Sequence, residues 1–151
     1  MKKILLTILI CLSFISKVNA STSSAYEYVL MDQTTGRVLS SKNANCPRLI
    51  ASITKIMTCL LAIESNKLDE VITVDESIKK AYGSGIYIEV GEEMTLRDML
   101  YGLMLRSGND AAVMIASYLA GTEEDFAVLM NNKAKEIGMK NTVFTNSSGL
   151  D

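Results

Sequence analysis

Apolar residues recur along this chain with two different periods, and the change from one to the other sets out the elements. Tyr26-Glu27-Tyr28-Val29-Leu30-Met31 is aromatic and β-branched and reads as a strand. Asp32-Gln33-Thr34-Thr35-Gly36 reads as a turn, and Arg37-Val38-Leu39-Ser40-Ser41 as the returning strand of a β-hairpin. Over residues 51–64 the pattern becomes helical. Ile53, Ile56, Met57, Leu60, Leu61 and Ile63 leave almost no polar face, so the spacing predicts a helix buried all round. Residues 71–74 have the content of a short strand, and Gly83-Ser84-Gly85 and Val90-Gly91-Glu92 read as turns. Thr95 with Asp98 predicts a capped helix start, followed by the stripe Leu96, Met99, Leu100, Leu103 and Met104. Ser107-Gly108-Asn109 interrupts the apolar pattern, residues 111–120 resume it, and Gly121 ends it. Thr122 with Asp125 opens a last helix whose buried stripe is Phe126, Leu129, Met130 and Ile137, with Gly138 at its C-terminal turn. Residues 142–151 are turn-rich and contain no closing element.

Ahead of these elements lies a different pattern. Lys2 and Lys3 precede an apolar run over residues 4–18, and Val18-Asn19-Ala20 places small or β-branched residues before Ser21. This predicts a signal peptide over residues 1–20, cut after Ala20, and hence export. A membrane anchor is the alternative, against which the run is short for a spanning helix. Removing the segment takes away three lysines and no acids, and moves the formal charge from −2 to −5. A mildly acidic domain has no electrostatic footprint for nucleic acid. Cys46 and Cys59 remain after cleavage. A disulfide between them is open in an exported protein, although Cys59 also suits a small buried apolar position.

Candidate chemistry begins with an absence: the chain contains no histidine. A Ser-His-Asp triad, a Cys-His pair and a His-ligated metal are all excluded. Any nucleophile here needs another base, and lysine serves. Ala51-Ser52-Ile53-Thr54-Lys55 places a hydroxyl and an amine three residues apart at the predicted start of a helix. At about 100° per residue the two side chains lie about 60° apart on one face. The first turn of a helix also favours negative charge, which suits the oxyanion of an attacked carbonyl. Lys55 must be neutral to accept the Ser52 proton, and desolvation within an apolar helix lowers a lysine pKa. The pattern is common in itself, since Ser77-Ile78-Lys79-Lys80 repeats it in a polar stretch. An N-capping Ser52 with a solvated Lys55 fits the spacing equally well.

Ser107-Gly108-Asn109 adds a hydroxyl and a carboxamide between two predicted helices. There the hydroxyl can shuttle a proton to a leaving amine and the carboxamide can hold a substrate peptide. An ordinary helix-linking turn accounts for the same residues.

Taken together these segments resemble the active-site-serine penicillin-recognising family, and within it the exported low-molecular-weight D-alanyl-D-alanine carboxypeptidases. The resemblance runs through Asp32 to Gly36, through Arg48 with Ala51-Ser52-Ile53-Thr54-Lys55, and through Gly91-Glu92 with Thr95. It continues through Asp98-Met99-Leu100, Leu105-Arg106-Ser107-Gly108-Asn109-Asp110-Ala111-Ala112 and Met130-Asn131-Asn132-Lys133-Ala134. It closes with Ile137-Gly138-Met139 and Phe144-Thr145-Asn146-Ser147-Ser148-Gly149-Leu150.

The resemblance implies an α/β fold of the β-lactamase/DD-peptidase type: an N-terminal hairpin of the antiparallel sheet and most of the helical lobe, with the C-terminal strands missing. Residues 21–151 would then be an incomplete serine DD-peptidase catalytic domain. It also implies a role for each site residue. Ser52 is the nucleophile, Lys55 the general base, Ser107 the proton relay and Asn109 a substrate-binding residue. The implied substrate is a peptidoglycan stem peptide ending in D-Ala-D-Ala, with β-lactams as inhibitors and with no cofactor and no metal.

The family's third motif, Lys-Thr-Gly, does not occur in these 151 residues; Thr35-Gly36 follows Thr34 and lies upstream of Ser52. In the family it supplies a cation for the substrate carboxylate and an oxyanion-hole N–H, and loss of one such donor costs about 10²–10³ in rate. The chain is therefore expected to be the front part of a longer protein, with any membrane association residing in a missing C-terminal segment. Two other functions stay open, a catalytically incompetent penicillin- or peptidoglycan-binding remnant and a β-lactamase. Class A β-lactamases carry Asp where this chain has Gly108, and they need a deacylating glutamate that has no counterpart in context here.

Overall fold

The computed structural model describes residues 23–150, so the expected leader over 1–20 lies outside the described residues. The chain divides into two units, Met1–Cys46 and Pro47–Asp151.

In the first unit, strands β1 (Tyr28–Met31) and β2 (Val38–Lys42) pair antiparallel, with Tyr28 opposite Lys42 and Leu30 opposite Ser40. The register slips between Leu30 and Met31. Asp32 builds the turn: its carboxylate accepts from the Thr35 N–H at 2.7 Å and the Thr35 hydroxyl at 2.6 Å, and its backbone N–H donates to the Arg37 carbonyl. Those donors hold the Asp32 carboxyl below the usual carboxylate range. Gly36, at φ +70°, supplies the left-handed residue that the turn needs.

The second unit opens with a 3-10 turn, Ala51–Thr54, that runs into α1 (Lys55–Glu64). A second antiparallel pair follows, β3 (Val71–Thr73) with β4 (Glu93–Thr95), in the register Val71 to Thr95 and Thr73 to Glu93. Between them the chain makes a 3-10 turn over Glu76–Lys80, capped by Asp75, and a long strap. Three helices complete the unit: α2 (Leu96–Arg106), α3 (Asn109–Ala120) and α4 (Glu123–Glu136). Both expected capping pairs form. Thr95 accepts from the Asp98 N–H at 3.1 Å, and Thr122 from the Asp125 N–H at 3.0 Å.

Helix α3 is the central element. Its residues from Asn109 to Ala116 are all buried, and it packs against α1, α2 and α4. Its alanines let the neighbours close in, and Leu96, Met99, Leu103, Ile115, Phe126 and Met130 fill the core around it with no exposed surface or nearly none. Asn131 ties the last segment to α4, since its carboxamide donates to the Phe144 carbonyl (2.7 Å) and accepts from the Phe144 N–H (2.8 Å).

Three expectations are corrected. Residues 51–64 do not form one α-helix; the first turn is 3-10, because Ala51 takes φ +46° and Ile50 makes no side-chain cap. Nor is the stretch buried all round: Met57, Thr58 and Ala62 of α1 are buried, while Ile53 in the 3-10 turn and Ile56 and Ile63 of α1 are exposed. Counting apolar residues identified the helix, but it could not say which of two apolar faces this unit covers. Met104, Leu129 and Ile137, expected in buried stripes, are exposed, and the disulfide left open between Cys46 and Cys59 is not formed.

Phe126→Ala should lower stability by about 3–5 kcal/mol, through lost transfer energy and an unfilled cavity. Leu105→Ala, at a side chain 78% exposed, should change it by less than about 0.5 kcal/mol. Urea midpoints of the two variants check the contrast.

Candidate active site

The 3-10 turn over Ala51–Thr54 presents Ser52 to solvent, while Lys55, the first residue of α1, turns inward and is only 2% exposed. The Lys55 ammonium donates to Ser52 Oγ at 3.2 Å and to the Ser148 carbonyl at 3.0 Å. Ser107 Oγ donates to Ser52 Oγ at 3.0 Å from the other side. One amine and two hydroxyls from three places in the sequence thus form one hydrogen-bonded line. Burial pushes the Lys55 pKa down, because a low-dielectric site disfavours the ammonium. Its surroundings offer hydroxyl and carbonyl oxygens, and among the described residues no carboxylate is hydrogen-bonded to it.

Ser107 ends α2 in the left-handed conformation, at φ +57°. Ala51, directly before the exposed serine, is also left-handed. Such left-handed non-glycine residues cost about 1–3 kcal/mol each and persist only where the surrounding structure imposes them. The surroundings here are close. Gly149 takes φ +74°, and a Cβ at that position would fall on the Ala51 carbonyl oxygen and the Thr54 hydroxyl.

Asn109 stands apart from this line. It is buried, its carboxamide donates to the Tyr82 carbonyl at 2.6 Å, and its backbone N–H donates to the Ser84 carbonyl at 2.7 Å. The next residue, Asp110, accepts from the Ile86 N–H (3.0 and 3.1 Å) and the Tyr87 N–H (2.7 Å). The start of α3 therefore grips the strap over residues 82–87, which also holds the left-handed Tyr87. The structure brings Ser52, Lys55 and Ser107 into direct contact and binds Asn109 to the strap beside them.

Sequence reasoning gave no role to the residues behind Lys55. Thr58 Oγ1 donates to the Ser147 carbonyl at 2.6 Å, and Asn146 Oδ1 accepts from the Ser148 N–H (3.2 Å) and the Gly149 N–H (2.6 Å). The turn residues Asn146-Ser147-Ser148-Gly149 were visible in the sequence, but no local pattern shows that the turn closes on α1. Among the described residues no group of His, Cys, Asp and Glu could hold a metal ion.

A family model described as Peptidase_S11, D-alanyl-D-alanine carboxypeptidase, matches residues 15–151. D-alanyl-D-alanine carboxypeptidase DacF of Bacillus subtilis is 46% identical over 127 residues, covering 81% of this chain and 33% of that protein. The crystal structure of the D-alanyl-D-alanine carboxypeptidase DacD from Francisella tularensis superposes with a TM-score of 0.81 at 39% identity, over 86% of this chain and 33% of that one. Penicillin binding protein 5 from Haemophilus influenzae gives a TM-score of 0.81 at 31% identity, over 89% of this chain and 41% of that one. The chain spans about a third of the length of the curated relatives it matches.

The close approach at Gly149 predicts that Gly149→Ala displaces the 3-10 turn and costs more than about 1–2 kcal/mol from the left-handed backbone alone. Loss of the Ser52–Lys55 contact in a crystal structure of the variant, together with a lowered melting temperature, is the expected result.

Proposed function

The chain belongs to the Peptidase_S11 family of D-alanyl-D-alanine carboxypeptidases, and from that membership we propose that it carries the acyl-transfer centre of an enzyme that removes the terminal D-alanine from peptidoglycan stem peptides. The observation that carries this reading is the hydrogen-bonded line from Lys55 through Ser52 to Ser107.

The chemistry follows from that line. In its neutral form Lys55 turns its lone pair to Ser52 and accepts the hydroxyl proton as Ser52 Oγ attacks the carbonyl carbon of the penultimate D-alanine. The resulting tetrahedral oxyanion collapses, the C–N bond breaks, and the departing D-alanine nitrogen takes a proton through Ser107. Water then adds to the Ser52 ester with Lys55 again as base, which releases the shortened peptide and restores the hydroxyl. Asn109 is the proposed peptide-binding residue, held in place by the strap. A β-lactam acylates Ser52 by the same attack. Its amine stays tethered after ring opening, so the ester is slow to leave. Export over a leader at residues 1–20 belongs to the same reading, since the substrate lies in the cell envelope.

Fluorescent penicillin tests the proposal. Ser52 should become covalently labelled, Ser52→Ala should take no label, and Lys55→Ala should lower the acylation rate by about 10²–10⁴. No label on the folded wild-type chain would favour a binding remnant, and rapid catalytic release of the label would favour a β-lactamase. The labelling rate should also rise with pH. The neutral fraction of Lys55 grows as pH rises through its pKa, and burial places that pKa below the ordinary lysine value. A rate that falls or stays flat from neutral to alkaline pH would contradict Lys55 as the base.

A further inference from the structure

We infer that Glu123 is a positioning residue for Lys55, acting through the buried segment Ser147-Ser148. The inference deepens the proposed function and rests on it for its effect on rate, though not for its geometry.

Lys55 needs a direction as well as a lowered pKa. A neutral amine has two N–H donors and one lone pair, and only an amine whose lone pair faces Ser52 can take the hydroxyl proton. Donation to the Ser148 carbonyl at 3.0 Å fixes one N–H and so limits where the lone pair points. That carbonyl lies on a segment with no helix or strand to hold it. What holds it is a set of side chains. Thr58, one turn beyond Lys55 on α1, donates to the Ser147 carbonyl at 2.6 Å. Glu123, the first residue of α4, uses both carboxylate oxygens: Oε2 accepts from the Ser147 N–H at 2.9 Å and Oε1 from the Ser147 hydroxyl at 2.6 Å.

Ser147 has no exposed surface, Glu123 is half-buried, and bonds to a charged acceptor are the strong ones. The carboxylate also stands in the first turn of α4, where negative charge is favoured. Glu123 and Thr58 thus grip one residue, Ser147, from two different helices. The next carbonyl along the chain is the one that receives the Lys55 N–H. Glu123 is 24 residues from Ser147 and meets no proposed reacting group.

Glu123→Ala and Glu123→Gln separate positioning from bulk stability. In the glutamine variant the amide oxygen can accept from the Ser147 N–H and the amide nitrogen can donate to the Ser147 hydroxyl, so the clamp survives in shape. In the wild-type chain and both variants, fluorescent penicillin acylation is resolved into noncovalent affinity, acylation rate constant and final labelled fraction. Glu123→Ala should lower the rate constant by about ten- to a hundredfold, as a misplaced catalytic group does. Its affinity and final labelled fraction should be unchanged, and Glu123→Gln should stay within about threefold of wild type. A merely structural role would lower the labelled fraction and leave the rate constant of the folded molecules alone, and that result overturns the inference.

A second readout does not depend on acylation. The two Hε protons of Lys55 should be distinct by NMR in the wild type and in Glu123→Gln, and should merge in Glu123→Ala. Unchanged splitting in Glu123→Ala overturns the inference. Absence of label in the wild type would overturn the proposed function, while the Hε splitting still decides the role of Glu123.

Discussion

Everything in the second unit turns on keeping one lysine amine out of water. Lys55 is almost wholly buried yet points at an exposed serine, and desolvation of its ammonium lowers its pKa, in the direction that the proposed function needs. A buried amine still needs hydrogen-bond partners. Among the described residues it has two, Ser52 Oγ and the Ser148 carbonyl, which arrive from opposite ends of the unit. Helix α1 fixes where the amine starts, and the segment over residues 144–150 fixes where it points. Asn131, Thr58 and Glu123 hold that segment in place of secondary structure.

Strain gathers at the same place. Ala51 and Ser107 are both left-handed, one before the exposed serine and one carrying the hydroxyl beside it, and Tyr87 is left-handed on the strap held by Asp110. None of the three is glycine, so each conformation costs energy that packing elsewhere has to offset. Gly149 is the counterpart: only a residue without a Cβ fits against Ala51 and Thr54, and that contact seats the strained turn. The candidate site therefore sits on local conformations that the local sequence does not favour.

This explains which features could be read from the sequence. The helix starts at Thr95 and Thr122 were legible because capping is chemistry between residues three apart. The side-by-side placement of Ser52 and Lys55 was legible for the same reason, although a 3-10 turn supplies it where an α-helix was expected. The Ser107 hydroxyl was legible only as a loop residue between helices, because its contact with Ser52 spans 55 positions. Strand β4, the exposed stripe of Ile53, Ile56 and Ile63, and the grip of Glu123 on Ser147 had no local signature. Each depends on which surfaces meet after folding, and spacing along the chain does not encode that. Membership of the carboxypeptidase family rests on the ordered match along the chain, whereas the roles proposed for individual residues draw on geometry.

The central claim is that burial holds Lys55 ready to lose its proton. The most direct measurement is an NMR titration of the Lys55 side chain, following its Cε resonance with pH and assigning it by comparison with Lys55→Ala. The account predicts a midpoint clearly below the ordinary lysine value of 10.5, because desolvation of the ammonium is the dominant influence on this group. A midpoint at or above the ordinary value would mean that the amine stays charged beside Ser52, and would contradict its role as the base.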